Sequence, residues 1–177
     1  LSRFRRLLFS GLLGICGAAA TVASISARPT QPNWHDKLIT QSVAHKMQQE
    51  HLTDQQLDDK ISERCLDTFV KELDPLKLFF YQSDIDEFKR NRTSLDDGFR
   101  RGDVHFAYDV FARFLARVDE RVQMAHAELD KKHDFTVDED MIRDPEAATF
   151  PKTPEEAAER WRQRVKFDLM KELADDV

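Results

Sequence analysis

Ser42 and Lys46 come closer to a catalytic pair than any other serine and lysine in the sequence. They are four positions apart, so on a helix they would share one face, and a serine activated by a lysine is a known nucleophile. Such a pair also needs oxyanion donors and a preformed pocket, and the surrounding residues indicate neither. We therefore interpret Ser42 and Lys46 as a solvated polar pair and predict no catalytic residue in this chain.

The histidines do not form a convincing set of metal ligands. His45 and His51 are six positions apart and face different sides of a helix, while His126 and His133 lie on either side of a predicted helix end. Zinc sites need nitrogen and sulfur ligands that converge on one point. We therefore predict no metal site and no cofactor.

Two acidic runs resemble fragments of a calcium-binding loop. They are Asp84-Ile85-Asp86 and Asp96-Asp97-Gly98. Neither is followed by the bidentate glutamate that completes such a loop. The runs are therefore predicted to serve as helix caps and turns rather than as ligands.

Arg113, Arg117 and Arg121 form a basic stripe on the longest predicted helix. Acids such as Asp109 and Glu120 intersperse the stripe, as expected of a solvated helix face. The whole chain has a formal net charge of −6. Because phosphate neutralisation dominates nucleic-acid affinity, such an acidic chain is a poor nucleic-acid binder.

Residues 1–27 have the pattern of an export signal. Arg3, Arg5 and Arg6 precede an uncharged segment, residues 7–27, that ends in small residues. This pattern is typical of a secretory signal peptide, although 21 uncharged residues could also span a bilayer as a retained anchor. Removing residues 1–27 would change the net charge from −6 to −9, since they hold three arginines and no acid. It would also remove Cys16 and leave Cys65 alone, packed as a small apolar residue without a disulfide partner.

The rest of the chain has the periodicity of helices, as its scarcity of glycine and proline also suggests. A first apolar stripe contains Trp34, Leu38, Ile39, Val43 and Met47. A second follows a predicted capping box at residues 53–56 and contains Leu57, Ile61, Cys65, Phe69 and Leu73, broadened by Leu66 and Val70. A third marks a helix of about seven turns and contains Val104, Ala107, Phe111, Phe114, Val118, Val122, Ala125 and Leu129.

The segment "LDPLKLFFYQSDIDEF", residues 73–88, joins two predicted helices. Asp74-Pro75 ends the helix before it, because proline disfavours the helical conformation of the preceding residue. Ser83 and Asp84 are predicted to begin the next helix with a side-chain cap and acids in the first turn. The apolar residues between these signals predict a connector that is driven into a core. A short helix then continues through Phe88 and fades near residues 91–94.

The last part of the sequence is a loop followed by a helix. Residues 131–152 lack periodicity, although 135–137 are predicted to form a short extended stretch. Thr153, Pro154 and Glu156 then supply an N-cap, a proline at the first helical position and a capping glutamate. The apolar line of this final helix is Trp161, Val165, Leu169 and Leu173. It is still periodic at residue 177, where we expect the last turn to fray.

Residues 73–88, the long helix after them and "RWRQRVKFDLMKEL", residues 160–173, resemble the N-terminal region of the tail-specific proteases. These are periplasmic C-terminal processing peptidases that use serine. The resemblance covers residues 34–177 and implies a helical N-terminal domain, followed in a longer parent by a PDZ domain and a protease domain with a serine–lysine pair. It does not place proteolytic residues in this chain.

We therefore expect an all-α, irregular helical N-terminal domain with one long central helix and short connectors. Residues 1–27 would be a signal peptide or anchor, 28–152 the helical domain, and 153–177 a helix leading toward the missing PDZ and protease domains. The implied partners are those domains, protein substrates with exposed C-termini and an adaptor protein, with membrane contact only through residues 1–27. The alternative is a stand-alone periplasmic helical binding or adaptor protein without an enzymatic parent.

Overall fold

The computed structural model of the protein describes residues 31–50 and 57–175. Its helices are α1 (Trp34–Glu50), α2 (Asp59–Leu73), α3 (Gln82–Phe88) followed by a 3₁₀ turn (Lys89–Asn91), α4 (Leu95–Arg101), α5 (His105–Leu129) and α6 (Pro154–Asp175). The described ranges contain no β-strand, so the all-α prediction with one long central helix is confirmed. The predicted signal and the predicted capping box at residues 53–56 lie outside them.

The apolar core lies where the connector between α2 and α3 meets α5. Its buried members are Leu66, Val70, Phe80, Ile85, Phe88 and Val110. Phe80 is 0% exposed, and its ring packs edge-on against Phe88 with 5.4 Å between centroids. The prediction that the connector is driven into the core is therefore confirmed.

Helix α2 begins and ends where polar side chains favour it, and its buried apolar residues are the two that broaden the predicted stripe. The Asp58 carboxylate accepts the Ile61 N–H at 2.9 Å, and the helix ends before Asp74-Pro75. Leu66 and Val70 are buried, whereas Cys65 is exposed, contrary to its predicted packing. A strict four-residue spacing advances by about 40° per step around a helix of 3.6 residues per turn, so such a stripe cannot stay on one face.

The predicted stripe of α5 is also wrong at its end. Val110, which the stripe omits, is 0% exposed, whereas Val122 and Leu129 are exposed. Only the first half of α5 covers the aromatic core, and the helix also packs along α6. The burial pattern therefore changes along its length.

Helix α4 includes residues 96–98, for which the sequence predicts a cap or a turn. Asp96 lies in its first turn, where its N–H donates to Ser62 Oγ and its carboxylate accepts from the same hydroxyl, both at 2.8 Å. The helix ends at Gly102, whose φ of 73° is left-handed. A Cβ at this position would come within 2.7 Å of the Lys37 carbonyl oxygen, so α1 packs closely against the end of α4.

Helix α1 does not bury most of the apolar stripe that its sequence predicts. Its buried residues are Thr40 and Ala44. The predicted stripe is exposed at Trp34, Leu38, Ile39 and Val43. The atoms of α1 next to Gly102 are the Lys37 carbonyl oxygen and the Cγ atoms of Lys37 and Gln41, so α1 meets α4 through residues outside the predicted stripe.

The loop before α6 contains a turn where an extended stretch was predicted. The Asp134 carboxylate accepts both the N–H and the hydroxyl of Thr136, at 2.9 and 2.6 Å, which closes the backbone into a turn. The predicted start of α6 is confirmed: the Thr153 hydroxyl accepts the Glu156 N–H at 3.2 Å, and the Glu156 carboxylate accepts the Lys152 N–H at 2.7 Å. Local polar residues therefore set both boundaries.

Truncation of the central aromatic residue should be severe. We expect Phe80→Ala to lower the free energy of unfolding by about 3–5 kcal/mol, as large-to-small changes in tightly packed cores do. Leu173→Ala, at an exposed position, is the matched control and should change it by less than about 0.5 kcal/mol. Denaturant unfolding measures both, and equal stability of the two variants would contradict the assignment of Phe80 to the core.

Candidate functional site

The predicted serine–lysine pair lies on the solvent-facing side of α1. Ser42 and Lys46 are both exposed, and the Ser42 hydroxyl donates to the Leu38 carbonyl oxygen at 2.8 Å. A hydroxyl held by its own helix is not aimed at a substrate. The prediction that the chain carries no catalytic residue remains a prediction.

The histidines are dispersed. His45 and His126 are exposed, His133 Nε2 lies 2.9 Å from the Glu128 carbonyl oxygen, and His51 lies outside the described residues. Within residues 31–50 and 57–175, no three histidine, cysteine or acidic side chains converge on a point that could hold a metal ion. The predicted absence of a cofactor is not tested by this observation.

The most organised polar site surrounds the connector, residues 74–81, and begins with Asp74. This side chain is 1% exposed, and its carboxylate accepts the N–H groups of Leu78, Phe79 and Phe80 at 2.7, 2.9 and 2.9 Å. Burial raises the pKa of Asp74, while the three N–H donors and the charge on Arg121 act in the opposite direction. A single buried side chain thus satisfies three consecutive backbone donors, of which the Phe80 N–H is itself buried.

Arg121 holds the carbonyl side of the same connector. Its guanidinium is 0% exposed and donates to the carbonyl oxygens of Leu78 at 3.2 Å and Phe79 at 2.8 Å. It also donates to the Tyr81 hydroxyl at 2.8 Å and to Glu120 at 3.0 Å. The interpretation of this arginine as part of a solvated face is therefore wrong, because the connector carbonyls give it buried acceptors.

Arg113 and Arg117 form ion pairs with the buried Asp84. Arg113 donates to the Asp84 carboxylate at 2.6 Å, and Arg117 donates to both of its oxygens at 2.8 and 2.9 Å. Asp84 also accepts the Tyr81 N–H at 3.0 Å and so caps α3 from inside the helix, where a Ser83 cap was predicted. Burial alone would raise the pKa of Asp84, but these donors hold it below its usual value.

Tyr81 completes this cluster between two of the arginines. The guanidinium carbons of Arg117 and Arg121 lie 4.5 and 4.3 Å from the centre of its ring, and its hydroxyl donates to Glu120. Burial and the Glu120 carboxylate raise the pKa of the Tyr81 hydroxyl. Every one of these contacts is internal to the protein, so the cluster positions the connector rather than offering an open reactive group.

The other side of the connector is attached to α6 and the preceding loop. Trp161 Nε1 donates to the Leu78 carbonyl oxygen at 3.2 Å, and the Lys77 ammonium donates to the carbonyl oxygens of Ala148 and Pro145 at 2.5 and 3.2 Å. The Trp161 ring also packs edge-on against Phe79. The connector thereby joins α2 and α3 to both α5 and α6.

An open apolar groove lies along the face of α2 that carries Ile61, Cys65 and Phe69. Its volume is about 590 Å³, and it runs between α1, α2, α4 and the start of α5. Ile61, Cys65, Phe69, Phe99 and Phe106 contribute to its walls. This concave surface suits apolar side chains rather than a charged small molecule.

The family model for the tail specific protease N-terminal domain matches residues 43–176, which include all of α2 to α6. The chain belongs to this family. It is also similar to the Tail-specific protease of Haemophilus influenzae (strain ATCC 51907 / DSM 11121 / KW20 / Rd), with 34% identity over 135 residues. That alignment covers 76% of this chain and 19% of the Haemophilus protein, so the chain spans about a fifth of that relative.

These findings confirm the resemblance to the N-terminal region of a tail-specific protease. They also place the connector site within the matched residues. The described residues contain no helix that is long and apolar enough to cross a membrane.

Loss of the buried guanidinium should destabilise the fold. We expect Arg121→Met to lower the free energy of unfolding by about 1–3 kcal/mol, because the Phe79 carbonyl loses the Arg121 donor and the Leu78 carbonyl and Glu120 each lose one of their donors. Arg90→Met, at an exposed position of the 3₁₀ turn, should change it by less than about 0.5 kcal/mol. If denaturant titrations show Arg121→Met to be as stable as the control, the connector does not depend on this residue.

The Asp84 ion pairs should make stability depend on acid. Because the folded-state pKa of Asp84 lies below its unfolded value, its contribution is complete above about pH 4 and is lost as pH falls through the folded-state pKa. Asp84→Asn should be less stable at neutral pH and should lose less free energy of unfolding on acidification than the natural chain. Equal losses in the two proteins, measured by urea titration at each pH, would show that Asp84 does not have a lowered pKa.

Proposed function

We propose that this chain is the helical N-terminal domain of a periplasmic tail-specific serine protease that processes or degrades exported proteins from their C-termini. The family match over residues 43–176 supports this proposal most directly. The chain aligns with only 19% of the Haemophilus Tail-specific protease. The PDZ and protease domains, with the serine–lysine pair, would therefore lie in the remainder of a longer parent.

The domain would dock on the protease body and help to shape access for protein substrates with exposed C-termini. Its architecture suits this role because the connector site fixes α2, α3, α5 and α6 around one core. Rigid elements present binding surfaces without a large loss of conformational entropy on association. The apolar groove beside α2 offers a surface for a protein segment or an adaptor.

The change of exposure along α6 supports a division of the chain into a helical body and a helix that leads away from it. Ala157 and Val165, in its first half, are buried, whereas Met170 and Leu173, in its last turns, are exposed. Residues 28–152 would form the body of the helical domain, and the helix of residues 153–177 would begin packed on that body and lead from its exposed end toward the next domain. Residues 1–27 would direct export to the periplasm and would be either removed or kept as an inner-membrane anchor.

The coding sequence of the parent gene distinguishes this proposal from a stand-alone periplasmic binding or adaptor protein. We expect the reading frame to continue after residue 177 into a PDZ-like region and a protease region with a serine and a lysine. A stop codon directly after residue 177 would contradict the proposal and favour the stand-alone alternative.

Proteolytic activity should require those further domains. We expect the purified 177-residue chain to leave a protein with an apolar C-terminal tail intact, while the complete gene product cleaves it. The physical reason is that the Ser42 hydroxyl donates to a carbonyl oxygen of its own helix rather than to a base that could activate it. Cleavage by the short chain that persists through chromatography and is lost in Ser42→Ala would contradict this expectation.

A further inference from the structure

An apolar surface near the end of α6 is suited to a protein partner. We call it the α6 patch and define it as Phe135, Val137, Met170 and Leu173. All four side chains are exposed, with Met170 at 45% and Leu173 at 57%. The first three line a groove of about 340 Å³ between the loop and α6, with Phe167 and Met141 in its walls. Leu173 lies three residues after Met170, on the neighbouring turn of the same face.

The loop side of this groove is firmly attached to α6. Lys166 is 7% exposed, and its ammonium donates to the Val137 carbonyl oxygen at 3.2 Å and to the Glu139 carboxylate at 2.7 Å. Arg162 also pairs with Glu139. The Arg162 and Lys166 donors lower the pKa of Glu139 to about 2. The apolar side chains are therefore presented by a preorganised surface, which reduces the entropy lost on binding.

Charges at the rim indicate the chemistry of the partner. Asp138 and Asp140 are exposed beside the groove and line it together with the apolar side chains. Methionine and phenylalanine adapt to apolar partners, while exposed carboxylates favour flanking lysine or arginine. The groove thus suits an apolar segment that carries basic residues.

We propose that the occupant of the α6 patch is the remainder of the parent polypeptide, which packs an apolar segment with basic neighbours against it. This inference rests on the proposed function. The Haemophilus relative is about five times as long as the region aligned here, and α6 extends to Asp175, beside the patch. The following domain would therefore start next to this surface at a high effective concentration.

The exposed face of α1 provides a matched control. Leu38 and Ile39 are 51% and 62% exposed on another helix, close to the exposures of Met170 and Leu173. They precede residue 43, where the family match begins. If the remainder of the parent covers the α6 patch, these α1 residues should stay accessible.

Hydroxyl-radical footprinting of the 177-residue chain and of the complete gene product tests the proposal. In the complete protein, oxidation of Phe135, Met170 and Leu173 should be about tenfold slower than in the short chain, because the centre of an interface excludes water. Oxidation of Leu38 and Ile39 should be the same in both. Equal oxidation of the α6 patch in both proteins, or protection of Leu38 and Ile39 instead, would overturn the proposal.

A double variant identifies the contact more closely. Met170→Gln with Leu173→Gln should restore rapid oxidation of Phe135 in the complete protein, while Leu38→Gln with Ile39→Gln should not. Both pairs should leave the Tm of the short chain within about 2 °C, since the changes are at exposed positions. Continued protection of Phe135 in the first variant would overturn the assignment of the contact to α6.

Three outcomes have separate meanings. If the patch is protected only at concentrations where the complete protein sediments as a dimer, the occupant is a second copy, and the proposal is wrong. A stop codon after residue 177 would refute the proposed function itself. A complete reading frame with an unprotected patch would refute only the present inference.

Discussion

The structure depends on one constraint: the connector of residues 74–81 is buried at both ends, at Asp74 and at Phe80 and Tyr81, so its inward-facing backbone polar groups must find partners in the protein. Asp74 accepts three of its N–H groups, and Arg121 donates to two of its carbonyl oxygens. A buried backbone group without a partner is costly, so both side chains are needed for Phe80 to occupy the centre. An apolar core can form around this irregular segment because a carboxylate satisfies its N–H groups and a guanidinium satisfies its carbonyl oxygens.

This constraint also explains why a strongly charged chain has so compact an aromatic centre. Arg121, on α5, and Trp161, on α6, both donate to the Leu78 carbonyl oxygen, so the connector determines where these helices lie. Asp84 then attaches α3 to α5 through Arg113 and Arg117. Buried ion pairs gain little net stability over apolar residues, but loss of one partner is severe. We therefore interpret the cluster as fixing the geometry of the domain.

Local signals in the sequence were sufficient for much of the fold. The helix end at Asp74-Pro75, the existence of the long helix α5 and the Thr153–Glu156 cap depend on residues close together in the sequence, and each is confirmed. The errors have long-range causes. Arg121 is buried by carbonyls more than forty positions away, and Asp96 lies in a helix supported by Ser62. Which side of α1 is exposed depends on its close contact with Gly102 at the end of α4, and the periodicity of the α1 sequence carries no information about that contact.

Amide hydrogen exchange of Leu78, Phe79 and Phe80 tests the central claim most directly. Surface loops ordinarily exchange through small local openings, whereas amides in a core exchange only on global unfolding. Because these three N–H groups donate to the buried Asp74 carboxylate, we expect protection as strong as that of Leu66 and Val110 in the core helices. Rapid exchange of the three amides while the helices remain protected would show that the connector is an ordinary mobile loop, and would contradict this account.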